Sequence, residues 1–274
     1  MAATAKAKGG SKPDFATAGG IILAMAGIVG GLILEGGEIK DISQLTAALI
    51  VLGGTFGAVM INTPMNVLVG GMKRLRAVFL EKSVAADEVI EKLIDFATRA
   101  RKGGIVSLEQ DADNVSDPFL RKALNLAVDG TDLQELRRML ELEISLEEHH
   151  AEAEAKVFEA AGGYAPTIGI IGAVMGLIQV MKNLSNIDAV GHGIAVAFVA
   201  TVYGVAIANI FLLPAANKIK ARAHQEIQIK ELILEGMVGI VEGMNPKLIR
   251  IKLEAYAPHN PKAAKKGKAE KPAG

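Results

Sequence analysis

No cysteine occurs in this chain, which removes a disulfide framework, a thiolate zinc site and a cysteine nucleophile, and leaves the redox compartment illegible from thiols. Net charge is missing too: 30 Lys and Arg balance 30 Asp and Glu, so there is no electrostatic case for a nucleic-acid partner. Nor is there a nucleophile elbow, a Gly-rich phosphate loop with its lysine, or an HExxH zinc pair. The chain therefore reads as a non-enzyme with no cofactor. His149 and His150, among Glu147, Glu148, Glu152 and Glu154, are the nearest thing to a metal cluster. Adjacent histidines diverge by about 100° on a helix, so a solvated face is the expectation and no metal is predicted.

The most telling absence is local. Phe15 to Leu34, Leu45 to Met72, Ala160 to Met181 and Gly193 to Asn217 contain no Asp, Glu, Lys, Arg or His, although half of the chain is hydrophobic and 22% is charged. Each stretch is long enough to cross a hydrocarbon core of roughly 30 Å, which takes about 20 helical residues. The fold class expected is thus an all-α membrane protein, with four transmembrane helices and a large helical cytoplasmic insertion between the second and third. Moving an ion through hydrocarbon normally needs an ionisable group facing a wet cavity. These spans supply none, so a carboxylate for ion passage has to come from another chain.

The first apolar stretch is longer than a signal-peptide core and runs into Glu35-Gly36-Gly37-Glu38 instead of a small-residue cleavage site, so it is expected to be retained. Lys6, Lys8 and Lys12 precede span one, Lys73, Arg74 and Arg76 follow span two, and Lys218, Lys220 and Arg222 follow span four. The two short loops carry only Lys40 and Lys182. By the positive-inside rule both termini and the long loop are cytoplasmic.

Six regions follow from this pattern: a disordered tail over 1–13, a transmembrane hairpin over 14–72, a cytoplasmic helical domain over 73–159, a second hairpin over 160–217, a cytoplasmic helical region over 218–256, and a disordered basic tail over 257–274. In the first hairpin, Asp41-Ile42-Ser43-Gln44 resembles an N-cap with its reciprocal glutamine. The second turns near Asn183 to His192. In the insertion, Ser83 is a candidate cap for a helix from Val84 to about Lys102, stopped by Gly103-Gly104. Ser107-Leu108-Glu109-Gln110 reads as a capping box for a short helix, and a further helix is expected over Asp117 to Val128. Thr131-Asp132-Leu133-Gln134 caps a final long helix through Leu140, Leu142 and Val157, which span three can continue as one rod.

Gly27 and Gly31, Gly53 and Gly57, and Gly172 and Gly176 are spaced four apart, as close helix packing requires. Thr55, Thr167, Thr201, Tyr203 and Asn209 are the notable polar groups in the spans. A threonine there either bonds the carbonyl one turn back or lines a watery path, and Thr201 is the better path candidate because it sits near mid-span. Antiparallel packing of spans three and four would bring Pro166 and Pro214 to a similar depth near the cytoplasmic face. Both lack a backbone donor and can act as hinges, or be a first-turn proline and an ordinary kink.

Four spans in a two, long loop, two arrangement, Ala165-Pro166-Thr167-Ile168-Gly169-Ile170-Ile171-Gly172 in span three, and Leu213-Pro214 closing span four together resemble the MotA family of flagellar motor stator subunits. Arg101-Lys102-Gly103-Gly104 followed by Ser107-Leu108-Glu109 reinforces the likeness, which covers about residues 14 to 256. By composition alone those loop charges would be a solvated helix end. The resemblance implies a homo-oligomeric ring of five chains around two copies of a single-span MotB-like partner, whose aspartate binds the ion. It implies that Arg101, Lys102 and Glu109 face the rotor protein FliG, and that Pro166 and Pro214 couple ion passage to movement. It places the chain in the bacterial inner membrane, in contact with lipid. Sodium-driven relatives carry a threonine seven residues after the span-three proline, where this chain has Ala173, while the other pathway threonine is matched by Thr201. With one oxygen fewer for a hard cation, protons are the expected ion. The runner-up is an ExbB- or TolQ-like energising subunit, against which the extra apolar segment and basic N-terminus argue. A non-conducting membrane scaffold is the other alternative.

Overall fold

The computed structural model describes residues 12–81 and 86–256. Ser83 and Val84, residues 1–11 and residues 257–274, on which a helix start and two tails were expected, lie outside the described residues. Four helices are long and apolar enough to cross a membrane: Phe15–Leu34, Ile39–Asn62, Leu133–Lys182 and Ile187–Val241. The chain divides into two compact units, Met1–Lys82 with His149–Ala223, and Ser83–Glu148 with His224–Gly274.

In the first unit, Lys12–Pro13 (β1) pairs antiparallel with Leu80–Glu81 (β2), so these two residues of the expected N-terminal tail are held in a short ladder. Asp14 caps α1 (Phe15–Leu34) by accepting the Thr17 N–H at 3.1 Å. The helix ends where Gly36 takes a φ of +83°, a conformation glycine adopts without strain. The expected cap on span two differs: Asp41 sits inside a 3-10 turn (Ile39–Ile42), and its carboxylate accepts the Glu38 N–H at 2.7 Å. Span two opens instead at Gln44, without a side-chain cap.

Span two is also shorter than its uncharged stretch. Helix α2 (45–62) includes a wide π turn over Leu49–Gly53 and stops at Asn62. The ring of Pro64 excludes Thr63 from helical geometry, and Thr63 is extended at φ −128° and ψ 129°. The chain restarts as α3 (Met65–Phe79), an amphipathic helix. Its inner-face Leu68 and Val78 join Val59 of α2 and Val157, Phe158, Ala161 and Ile219 in one buried cluster.

Helix α7 (Leu133–Lys182) is continuous over 50 residues, as the one-rod expectation had it, and its residues from His149 onward belong to this unit. Asn183 to Asn186 form the turn, and Asn186 caps α8 (Ile187–Val241) through the Ala189 N–H at 3.2 Å. These helices approach through small residues. A Cβ on Gly169 would sit 2.9 Å from the Ala200 carbonyl oxygen, and one on Gly176 would sit 2.7 Å from that of Gly193. Gly172 meets Ala200 likewise, whereas a Cβ on Gly27, Gly31, Gly53 or Gly57 would meet no atom of the described residues within 4 Å beyond its own helix backbone. Of the three glycine pairs, only the third lies at a crossing within the chain.

The second unit packs α4 (Ala86–Gly103), α5 (Glu109–Asn114), α6 (Pro118–Val128), the start of α7, the end of α8 and α9 (Pro246–Glu254) around a conventional core. Leu93, Leu124, Leu136, Leu140, Ile233, Met237 and Leu253 are almost wholly shielded there, while Leu142 on the opposite face of α7 is exposed. Gly104 at φ +77° ends α4 and Gly130 at φ +73° ends α6. Two caps differ from the sequence reading. Ser107 donates its hydroxyl to the Gly104 carbonyl at 2.6 Å, because a 3-10 turn (Ile105–Leu108) precedes α5. Asp132, not Thr131, accepts at the start of α7, from the Gln134 N–H at 3.0 Å.

Candidate functional site

The candidate residues fall into two groups, one in each unit. In the first unit the crossing of α7 and α8 is set by glycines that cannot take a side chain. Gly204 lies against the Ala165 carbonyl, Gly169 against the Cα of Thr201, and Gly172 against Ala200. Ala173 stands one turn beyond Gly169 on the same helical face. The crossing therefore puts Ala173 within about one helical turn of the level of Thr201, both half-buried. The Thr201 hydroxyl donates to the Ala197 carbonyl at 3.3 Å, and that of Thr167 to Tyr164 at 2.8 Å. Each threonine is thus tied to its own helix while keeping lone pairs that can accept. Thr55 is different. Its hydroxyl is buried on α2 with no hydrogen-bond partner among the described residues.

Pro166 is half-buried within the unbroken α7, and the carbonyl its ring opposes belongs to Gly162, which has no side chain to add to the crowding. Gly162 in turn touches Leu213, so Pro214 lies about one turn from Pro166 along the crossing. The π turn Ile207–Leu212 falls where the Pro214 ring would meet the Ile210 carbonyl, and its wider winding absorbs that clash. Tyr203 adds a tie the sequence did not reveal: its hydroxyl donates to the Ile42 carbonyl and accepts the Gln44 N–H at 3.3 Å.

Beside this crossing sits an ion cluster that charge counting alone read as topology signals. Asp14, 9% exposed, accepts from Lys218 at 2.5 Å and from Arg222 at 2.8 Å. The Lys218 hydrogen bond, followed by the Thr17 N–H, holds its carboxyl far below the ordinary carboxylate range despite burial. Arg74 pairs with Glu154, and Lys220 with Glu159 at 2.7 Å.

In the second unit Arg101 and Lys102 end α4 and Glu109 begins α5, so the three charges flank one reversal at Gly104. All three are exposed, and none forms an ion pair with another described residue. Contacts behind them hold the turn: Leu108 is fully shielded, and the partly exposed Arg99 reaches Asp111 at 2.7 Å and Asp95 at 3.0 Å. Arg99 also stacks over Phe96 at 5.3 Å. The bracing ion pair was invisible in the sequence because its members are twelve residues apart. The His149 and His150 region forms no metal-ligating group among the described residues.

Comparison with known proteins fits this geometry. Residues 111–232 match the model of the MotA/TolQ/ExbB proton channel family, and residues 18–104 match that of the motility protein A N-terminal region. Motility protein A of Bacillus subtilis is 36% identical over 254 residues, covering 92% of this chain and 94% of its own. A structure of C. jejuni MotAB superposes with a TM-score of 0.86 at 34% identity, over 90% of this chain and 97% of that one. The flagellar MotAB stator complex from Bacillus subtilis gives a TM-score of 0.81 at 36% identity, over 88% and 95%.

Proposed function

The chain belongs to the motility protein A family, within the MotA/TolQ/ExbB proton channel family, and from that premise we propose that it is the ion-conducting subunit of a flagellar stator. It assembles as an oligomer in the inner membrane with a MotB-like subunit, and together they turn ion flow into torque. It has no enzymatic activity of its own. The termini and the second unit face the cytoplasm. One observation carries the reading: the α7–α8 crossing holds oxygen atoms and prolines but no acid, so the titrating carboxylate belongs to the single-span partner.

The mechanism follows from charge and packing. Protonation of the partner's aspartate removes a costly intramembrane charge, and its helix then favours a different seat against α7 and α8. Pro166 and Pro214 lie where those helices lack ordinary backbone bonds, so the change in seat is taken up there. Helix α7, continuous from Leu133 to Lys182, carries it into the segment that contributes to the second unit. Arg101, Lys102 and Glu109 then engage and release complementary charges on the rotor protein FliG. Exposed pairs of this kind are worth about 1 kcal/mol or less and are screened by salt, which suits repeated stepping.

Ala173 in place of an oxygen ligand makes protons the transported ion. The test is co-expression of the chain with its partner in a stator-deficient swimmer. Rotation in sodium-free medium is expected, and an R101E/E109K exchange should abolish torque while leaving membrane insertion intact. Strict sodium dependence would overturn the ion assignment, and unaltered torque the rotor assignment. Proton flux through the purified chain alone in vesicles would overturn the borrowed carboxylate.

A further inference from the structure

Helix α3 has two apolar faces, and the fold uses one. On the inner face Leu68 and Val78 are buried, and Gly71 brings the backbone so close to α7 that a Cβ would sit 3.0 Å from the Glu154 carbonyl and 3.4 Å from Val157. This contact fixes the helix's level. Val157 precedes the uncharged stretch at Ala160 by three residues, about 5 Å of helix rise. The headgroup layer occupies roughly 5 to 8 Å outside the hydrocarbon on each side. The middle of α3 is therefore level with lipid headgroups.

On the outer face Val69, Met72, Lys73 and Arg76, with the edge of the inward-packed Leu68 beneath them, line an open groove of about 500 Å³. Val69 and Met72 are 44% and 49% exposed. Lys73 and Arg76 lie at its rim and form no ion pair with a described carboxylate, whereas neighbouring Arg74 turns inward to Glu154. Among the described residues the groove thus has an apolar floor, two uncompensated cations, and no acid in its lining to receive a choline or ethanolamine ammonium. A second copy of the chain would meet those cations poorly. Among the described side chains, the first unit's carboxylates nearest this level are already paired: Glu152 with Lys156, Glu154 with Arg74, Glu159 with Lys220, and Asp14 with Lys218 and Arg222.

We propose that this groove is a binding site for one anionic phospholipid, with its phosphate between Lys73 and Arg76 and the start of an acyl chain along Leu68, Val69 and Met72. The proposal rests on the membrane-spanning reading of the chain. The site ties the segment that follows span two to the leaflet beside it.

The purified complex of full-length chain and co-expressed partner, stripped of lipid, is titrated in native mass spectrometry with phosphatidylglycerol, phosphatidylcholine of the same chains, and glycerol 3-phosphate. Phosphatidylglycerol should be retained in preference to phosphatidylcholine. At roughly fivefold per basic group near an anionic surface, K73Q/R76Q should weaken its retention about thirtyfold and leave phosphatidylcholine unchanged. A K40Q/K182Q control, in the short loops, should behave as wild type. Equal retention of the two lipids, or undiminished preference in K73Q/R76Q, overturns the site. Displacement by equimolar glycerol 3-phosphate shows a soluble-anion site instead, and an altered subunit count with unchanged lipid retention shows an interface between copies. Carbonate extraction of membranes runs in parallel. Release of the wild-type chain would sink the membrane reading itself, whereas a resistant chain without lipid preference sinks only the groove.

Discussion

In the unit formed by Ser83–Glu148 and His224–Gly274, Leu93, Leu108, Leu124, Leu136 and Leu140 are fully shielded, while in the other unit Leu23, Leu49 and Leu177 are each more than half exposed. At the crossing of α7 and α8 the residues hidden from view include Gly169, Gly172, Gly176, Ala200 and Gly204, with nothing there among the described residues larger than Val196 and Val199 buried on α8. The same helical backbone is thus stabilised by opposite choices of side chain. In water a helix gains by hiding large apolar groups, at about 25 cal/mol per Å². Next to hydrocarbon tails a leucine gains nothing by turning inward, so helices approach through small residues and let close packing hold them.

The largest effect expected from this contrast lies in the water-facing core. Leu140→Ala should cost about 2–5 kcal/mol, because the surrounding helices cannot close the cavity. Leu177→Ala, with its side chain 52% exposed on the same helix α7, should change stability by about 0.5 kcal/mol or less. Denaturant unfolding of the solubilised protein compares them directly. Equal losses would break the distinction between the two regions.

A second substitution sharpens it from the other side. Gly204→Val places a side chain into the Ala165 carbonyl, which is backbone and cannot swing away, so a loss of about 1–3 kcal/mol is expected. Gly30→Ala, on α1 where a Cβ would meet no atom of the described residues within 4 Å beyond its own helix backbone, should leave stability unchanged or raise it by about 0.5–1 kcal/mol through helix propensity. Helix content followed through a denaturing-detergent titration separates the two. A destabilised Gly30→Ala would show that α1 has a close neighbour the crossing argument does not include.

How much of this was legible beforehand differs between the regions for the same reason. The spans were readable because hydrocarbon excludes charge, and α1 has the expected bounds, Phe15–Leu34. The long α7 was readable because nothing between Leu133 and Lys182 stops a helix except Pro166, whose opposing carbonyl lies on a glycine. Pro64 was the missed signal: it bars Thr63 from the helix, and the apolar run to Met72 concealed a break that turns α3 into a separate amphipathic element. Caps at Asp41 and Ser107 were misassigned because a 3-10 turn shifts the donors those side chains reach. Arg101, Lys102 and Glu109 could be matched as a motif, but the Arg99–Asp111 brace behind them needed the fold. The same holds for Asp14, whose partners are more than two hundred residues away.

Asp14 also has a counterpart in the other unit, and the pair gives the smallest and most discriminating test. Glu235, its side chain 14% exposed, holds Arg137 at 2.9 Å and also pairs with Lys252. Desolvation pushes its carboxyl upward, but hydrogen bonds from Lys252 and Arg137 outweigh it and leave the value below the ordinary 4.5. Asp14 meets less opposition: a backbone N–H at a helix N-terminus adds to its two cations, and its carboxyl is held further down from an ordinary 3.8. Each group is depressed in the folded state, so its stabilisation is complete above its unfolded value and drains as pH falls through the folded one. The Glu235 contribution should begin to fade below about pH 4.5, while that of Asp14 persists into stronger acid. Hydrogen exchange of the intact chain, corrected for the intrinsic rate at each pH, should show protection around Leu136 and Met237 declining before protection at the start of α1. Glu235→Gln should flatten the first decline and leave the second in place. Loss of both together would mean that acid acts on the whole chain through some other group, and the two clasps would no longer distinguish the regions they close.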